Sequence, residues 1–520
     1  MWGDWHISKY LEVNLPTLLA EGNFPALSVH CEITYYIYTA EMDLERIRSE
    51  PSIQALLYYM KLEFRLIGAE ALVDPIAAHH AVWDEATEQA IRDDSYVLLM
   101  PPDVAWSNGS FAHIGRLLDA GKKAIFMTYL RAESESFASA LKGYRQPDSN
   151  TISVTGSQLV EICLHTLHPL MAAYLRGSDH FPIHPEMMLW AVPNEGLLCR
   201  ILAREMFIFN PSTMGLNGVK LLATNLDPRL IHVIADSDDL FAVSLAPISK
   251  ELEWYRWPRA ADPGVIGEWW LEYDSWINDI IAGTKLRWHF SSATEQTWRA
   301  RERGADVFLR RAAAAREGRR LFHTARELTC TLAAAMIATA VQVGVMPHVA
   351  RGRGGALVFL PVNRAFDDYP RAQIEPLFDV GGERDLARLM RRHFVPICAP
   401  VQALSLEACL GSLDSVDLSA ADGATLRITR STSGLEVNNA RVLGGATLSG
   451  QNKVYLVERL LKPIVGSATM CTSVLGSVQY SAPQAAGSDR VATTPATGGF
   501  VPDRRQWNRR QRTGHDPIAR

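Results

Sequence analysis

The stretch Tyr96-Val-Leu-Leu-Met-Pro-Pro-Asp103-Val-Ala-Trp106-Ser-Asn-Gly-Ser110 decides how the first half of this chain is read. It begins as a short, continuous apolar run, stops at Pro-Pro-Asp, and passes into a small polar loop with glycine. A run of that kind, bounded by turn residues, reads as a strand buried on both faces. The Asp103 carboxylate then stands just past the strand's carboxyl end, the edge where open α/β sheets hold their ligands. A helix is expected over residues 111–120, then Gly121-Lys-Lys, then a second strand over 124–128. Towards the N-terminus, residues 79–91 carry an amphipathic helix pattern, and residues 33–39 and 62–67 read as strands. Helical spacing over 10–19, 43–47 and 51–59 completes the alternation. Strands and helices in turn argue for an α/β fold with a mostly parallel sheet and helices on both faces.

A chain of 520 residues is too long for one core and predicts at least two domains. Its 48% hydrophobic and 21% charged residues are ordinary for a globular protein. A net charge of -5 gives no reason to expect nucleic acid as a partner, and outside residues 504–512 no basic stripe is interleaved with aromatics. Seven cysteines lie scattered without metal-ligand spacing, so neither a zinc site nor a disulfide framework is expected. Met1-Trp-Gly-Asp-Trp-His6 lacks the basic and apolar regions of a secretory signal, and a cytoplasmic location is the expectation. Residues 328–346 hold no charge but are rich in Ala and Thr, with Gln342 and Gly344 inside. They read as a buried helix and not as a transmembrane segment, which wants roughly 20 predominantly apolar residues.

Further along, residues 157–176 form one long helical pattern, and loop-rich segments follow, among them Trp190-Ala-Val-Pro-Asn-Glu195-Gly. The run Leu230-Ile-His-Val-Ile-Ala then ends in Asp236-Ser-Asp238-Asp239, so the logic of strand first and carboxylate after is repeated. The tryptophan-rich residues 254–298 predict helices closing over the first domain, and the charged residues 299–320 a solvated linker helix. A second, α+β domain is expected from residue 320. Beyond 466, Ser, Thr, Ala and Gly dominate, which predicts a disordered tail carrying a solvated arginine run.

Several stretches of the first half carry a resemblance. They are Leu15-Pro-Thr-Leu-Leu-Ala-Glu-Gly-Asn-Phe-Pro-Ala-Leu27, Tyr36-Ile-Tyr-Thr39, the helix from His80 through Trp83 into Pro102-Asp103, and Trp106-Ser-Asn-Gly-Ser110. With Leu167-His-Pro169 and the Asp-Ser-Asp strand, they make residues 1–316 resemble the GT-A class of bacterial nucleotide-diphosphosugar transferases. The resemblance implies a divalent metal, Mn²⁺ or Mg²⁺, bound by an aspartate at the end of a central strand and gripping the donor's diphosphate. Asp103 stands at the matching place, and oxygen ligands suit such ions. The sequence departs from that pattern in three ways. The usual Asp-x-Asp is Pro-Pro-Asp, Asn108 stands where a second acid is common, and Trp2-Gly3 falls where the first, nucleotide-binding strand should end.

The second half resembles a fasciclin domain over residues 320–465. Its marks are Leu357-Val-Phe-Leu-Pro-Val-Asn-Arg-Ala-Phe366, Leu389-Met-Arg-Arg-His393-Phe-Val-Pro396, Val437-Asn-Asn-Ala-Arg-Val442 and Val454-Tyr-Leu-Val-Glu-Arg-Leu-Leu-Lys-Pro463, with a helix over 332–345 before them. This resemblance implies a module that binds protein or glycan, a kind found mostly outside cells.

Each candidate residue has a functional and a plain reading. Asp103 is either the metal ligand or a helix N-cap, and Ser107 and Ser110 either meet the donor or cap that same helix. Trp106 stacks on a base or sugar, or packs in the core; His80 helps hold the nucleotide, or is an ordinary surface histidine. Asp236 and Asp238, alternate residues of an extended chain, share a face. One of them is a candidate general base for the acceptor hydroxyl, and an acidic turn in solvent is the alternative. Glu195 is a candidate acceptor-side carboxylate, whereas His168 reads as a helix-end residue and His393 as structural. The expected function is transfer of a sugar from a nucleotide-diphosphate donor to an unknown saccharide or protein acceptor. The alternative is a non-catalytic adhesion or binding protein with a degenerate transferase-like domain.

Overall fold

The computed structural model describes residues 1–68, 74–182, 184–202, 207–213, 216–217, 220–221, 226–248, 260–271, 276–291, 295–347, 355–367, 371–397, 405–449 and 452–462. The apolar runs of the first half fold into short strands: β1 (Thr34–Thr39), β2 (Lys61–Leu66), β3 (Val97–Leu98), β4 (Val104–Trp106) and β5 (Ala124–Phe126). After them come β6 (Leu130–Glu133), β7 (Met187–Val192), β8 (Gly196–Ile201), β9 (Ile208–Phe209), β10 (Leu216–Asn217) and β11 (Lys220–Leu221). Three more, β12 (Ile231–Val233), β13 (Ala242–Ala246) and β14 (Leu286–His289), complete this half.

They form several small sheets. β1 pairs with β2, β10 with β11, and the larger sheets have the orders β12-β5-β9-β3, β4-β13-β6 and β14-β8-β7. The expected α/β mixture of helices and sheets is present. The mostly parallel sheet is not: β1/β2, β5/β12 and β6/β13 are parallel, and the other described pairings between strands of this half are antiparallel. A parallel pair needs a crossover of a dozen or more residues, and the loop 193–195 between β7 and β8 leaves room only for a hairpin. Since β9 runs against both β3 and β5, while β12 runs with β5, the strands β3, β5 and β12 share one direction. Their carboxyl ends therefore lie along one edge.

The opening stretch divides into two strands. Pro101 and Pro102 have no N–H to give a ladder, so β3 stops before them. The chain re-enters at β4, which pairs antiparallel with β13 some 140 residues later in sequence. Asp103 thus joins two strands, and its carbonyl accepts the Leu245 N–H at 2.8 Å. The flanking helices, Pro75–Arg92 and Ser110–Asp119, agree with expectation to within a few residues. The helical N-terminal segment passes from Asp4–Lys9 through a π-helical Tyr10–Asn14 to Leu15–Leu18. One core gathers Phe126, Leu130, Phe137, Val160 and Leu189, and a second gathers Ile7, Phe24, Trp106, Phe111 and Ile125.

The charged segment expected to be a solvated linker is the 33-residue helix Glu295–Glu327, which runs unbroken through the expected boundary at 316–320. Trp298, Ala305, Leu309 and Ala312 pack with Trp190, Ile266 and Trp270 of the first half. Leu321 and Ala325, further along, pack with Ala333, Ile337 and Val358 of the second. The apolar stripe is real but narrow, and charges between its members hide it in a simple count. The following helix, Thr331–Gln342, buries Ala333, Ile337 and Ala340, which agrees with the expected packed helix. Among the described residues no helix is long and apolar enough to cross a membrane.

The second half is built on one sheet. Its strands are β15 (Ala356–Pro361), β16 (Phe394–Pro396), β17 (Ser415–Ser419), β18 (Thr425–Ser431), β19 (Gly434–Val437), β20 (Ala440–Ser449) and β21 (Asn452–Val457). The order is β16-β15-β21-β20-β19-β18-β17, with β15/β21 the parallel pair. The expected tail from 466, its arginine run, and part of the tryptophan-rich segment lie outside the described residues.

Candidate functional site

Past β12 the chain turns sharply. Asp236 Oδ1 accepts the Asp238 N–H at 2.9 Å, an aspartate-headed turn of the usual kind. Its carbonyl accepts the N–H groups of Asp239 and Leu240 at 3.3 Å. The backbone of Arg287 on β14 braces this turn: its N–H reaches the Ala235 carbonyl at 2.7 Å, and its carbonyl takes the Ser237 N–H at 3.0 Å. Ser237 is wholly buried, and its Oγ accepts the His289 N–H at 3.1 Å. Two glycines admit this packing. A Cβ on Gly156 would lie 2.0 Å from the Ser237 carbonyl oxygen, and one on Gly196, at φ +150°, would lie 1.9 Å from the Trp288 carbonyl oxygen.

The outcome is a convergence of three side chains. His289 Nε2 lies 2.9 Å from Asp236 Oδ1 and 3.7 Å from Asp238 Oδ2. One ligand atom from each lies within 4.8 Å of the others, and Asp238 is the most exposed of the three. Around an octahedral ion with bonds of about 2.1 Å, neighbouring ligands stand about 3 Å apart and opposite ones about 4.2 Å. The two separations from His289, 2.9 and 3.7 Å, are close to that range. A set of two carboxylates and one imidazole suits Mn²⁺ better than Mg²⁺, which prefers oxygen alone.

Glu195 stands beside this group. Gly196 is in register with His289, and the Glu195 carbonyl accepts the Phe290 N–H at 3.0 Å. Asp236 and Asp238, expected from one part of the sequence, thus converge with His289, whereas Glu195 is brought to the neighbouring end of β14 through its backbone. On the far side of the turn Asp239 approaches His113 Nδ1 at 3.3 Å, and the rings of His113 and His232 are 6.0 Å apart. Burial pushes both imidazoles below the ordinary histidine value, more than Asp239 pulls them up.

Asp103 occupies a different corner, at the start of β4. Ser244 Oγ donates to its carboxylate at 3.1 Å. Burial pushes its carboxyl above the ordinary aspartate value, against the charges of His6 and Arg131. Burial likewise lowers His6, while Asp103 raises it. Among the described residues Asp103 belongs to no group of three converging metal-ligating side chains; Asp236, Asp238 and His289 are the one such group.

The remaining candidates fall into place individually. Trp106 is 1% exposed, stacked on Phe207 at 5.3 Å and edge-on to Phe111 at 5.2 Å, so it is a core residue and offers no face to a base. Ser107 is buried as well; its Oγ lies 2.8 Å from Ser110 Oγ and accepts the Phe241 N–H at 3.1 Å. It ties β4 to β13, and the helix start at Gly109 carries no side-chain cap. His80 is exposed beside Trp83 on its helix. His168 is a helix N-cap whose Nδ1 accepts the Leu170 N–H at 3.2 Å. His393 is buried between the Leu389 carbonyl and the Leu461 N–H, and burial pushes its imidazole down to about 4. The residue that sequence reasoning missed is His289. Its signal was the alternation Lys285, Arg287, His289 between apolar neighbours, which marks one face of a strand.

Comparison with known proteins bears on the second half. The family model of the fasciclin domain matches residues 332–463, which contain β15 to β21. Among solved structures, a FAS1 domain pair from the insect cell adhesion molecule fasciclin I is similar at 13% identity, covering 21% of this chain and 36% of that one, with a TM-score of 0.17. Agreement that low carries no argument beyond the sequence match. No curated protein matches the chain.

Proposed function

We propose that the first half is a divalent-cation-dependent transferase for a sugar carried on a nucleotide diphosphate, and that the fasciclin domain supplies a protein- or glycan-binding module. The observation that carries the reading is the convergence of Asp236, Asp238 and His289 next to the carboxyl end of β12. A divalent cation held there would supply the positive charge that offsets the charge building on a leaving nucleotide diphosphate. Asp236 and Asp238 would hold it through their carboxylates, and His289 through Nε2. Glu195, at the adjacent strand end, is assigned the acceptor's proton, provided the acceptor hydroxyl comes within hydrogen-bond reach. Asp103 is assigned no cation in this reading, because among the described residues it stands outside the group of three metal-ligating side chains that converge.

Calorimetric titration with UDP-, GDP- and dTDP-sugars, with and without Mn²⁺, tests the proposal. Binding of one donor that depends on Mn²⁺, and is lost in Asp238→Ala with the fold intact by circular dichroism, supports it. Absence of donor binding under every condition would sink it. That outcome would favour the second reading, a non-catalytic binding or adhesion protein, whose support is the fasciclin match over 332–463.

A further inference from the structure

Buried charge runs along the long helix Glu295–Glu327 in a way that a linker does not need. Glu302 is 6% exposed, Arg316 3% and Glu317 5%, and Arg200 of β8, 2% exposed, pairs with Asp306 of the same helix. Burying ions is costly unless each is closely paired, so the pairs fix where this helix sits more than they add stability. Lys285, just before β14, and Arg287 and His289 on it alternate along one face. Lys285 Nζ meets Glu302 Oε2 at 3.0 Å. Arg287 meets Glu302 Oε1 at 2.7 Å and Glu295 Oε2 at 2.8 Å. His289, next on that face, turns to Asp236 and packs edge-on against Trp298 of the long helix at 6.5 Å. Arg287 therefore grips the helix with its side chain while its backbone braces the Asp236 turn.

The same helix is locked into the fasciclin domain. Glu317 Oε2 accepts the Asn452 Nδ2–H at 3.0 Å, where Asn452 is wholly buried, and Thr324 Oγ1 bonds Ser449 Oγ at 2.8 Å. From Glu302 to Glu317 is about 22 Å of uninterrupted helix.

We propose that Arg287 is a positioning residue for the cation site, and that through it the long helix couples the affinity of that site to the seating of the fasciclin domain. The inference rests on the reading of Asp236, Asp238 and His289 as cation ligands. Coupling of this kind is reciprocal: Mn²⁺ at one end must tighten the contacts at the other.

The test uses the full chain. Mn²⁺ affinity, measured by calorimetry, is expected to fall about tenfold in Glu302→Gln and Arg287→Lys, neither of which alters a ligand. Glu295→Gln, at the exposed end of the clamp, is expected to give a smaller fall and guards against a variant that does not fold. Asn452→Ala, far from the site, is expected to lower the affinity about threefold. Hydrogen exchange should show Mn²⁺ slowing the amides of residues 317–324 and 452–457. Unchanged affinity in both Arg287→Lys and Glu302→Gln, in folded protein, overturns the proposal, and so does Mn²⁺ binding that leaves those amides unaffected. If wild-type protein binds no Mn²⁺, the cation reading has failed by itself. The positioning claim is then decided by NMR spectra of the turn: amide signals of residues 235–240 that move in Glu302→Gln support it, and unmoved ones refute it.

Discussion

Two corners of the first half each place an aspartate beyond a strand, and they do opposite things with it. At Asp103 a lone carboxylate is half-buried among a hydroxyl, an imidazole and a guanidinium, and burial keeps its proton affinity high. At Asp236 two carboxylates and an imidazole converge at distances an ion could span, and Asp238 stays open to solvent. A strand-end acid alone therefore says little about chemistry. What separates the corners is the company: at the first, burial outweighs the pull of His6 and Arg131 and favours a protonated carboxyl, whereas the second gathers two carboxylates that a cation would relieve.

The largest effect should separate the corners outright. Asp236→Ala is expected to weaken Mn²⁺ binding about 100-fold, equivalent to about 2.7 kcal/mol, while Asp103→Asn changes it less than about twofold. Calorimetry reads both, and a reversed ranking would move the cation to Asp103.

Next in size is Gly156→Ala. Its Cβ would press on the Ser237 carbonyl, so the Asp236 turn must shift. A loss of about 1–3 kcal/mol in urea unfolding is expected, together with weaker Mn²⁺ binding. Loss of stability with unchanged Mn²⁺ affinity would show that the turn tolerates the shift.

Acidity offers a third separation, of opposite sign in two carboxylates. Asp103 binds its proton more tightly folded than unfolded, so its contribution to stability is present at low pH and is lost as pH rises from about 4 through its raised value. For Glu302 burial works against ionisation, yet hydrogen bonds from Arg287 and Lys285 outweigh it and hold the carboxyl low. Its contribution is present above about pH 4 and is lost as pH falls. Urea unfolding across pH should show Asp103→Asn equal to or more stable than wild type on the neutral side. Glu302→Gln should lose most there and least in acid.

The smallest effect belongs to His80→Ala. The side chain is exposed on a helix, so stability should move by no more than about 0.5 kcal/mol and Mn²⁺ affinity not at all. A clear loss of donor affinity in this variant would restore it to the site.

How much of this was legible in the sequence depended on how far apart the partners lie. The fasciclin domain was readable because its stretches, from Leu357 to Pro463, keep their order and spacing. Helices near Asp103 were readable because their periodicity is local. The pairing of β4 with β13 was not, since no local pattern names a partner some 140 residues away. The pair Asp236 and Asp238 was visible as alternate acids after an apolar run, and Glu195 as an acid in a turn. His289 carried only the alternation with Lys285 and Arg287 that marks a strand face, and it comes beside Asp236 only when β14 is laid against the turn. The long helix was misjudged because its buried stripe runs between charges that are themselves buried in pairs.

The most direct measurement is pulsed electron paramagnetic resonance of Mn²⁺ bound to the full chain. The trio contributes one imidazole, so bound Mn²⁺ should show the coupling of one histidine nitrogen, which disappears in His289→Ala and persists in Asp103→Asn. Nitrogen coupling that survives in His289→Ala but vanishes in Asp103→Asn would place the ion beside His6, and would contradict the account.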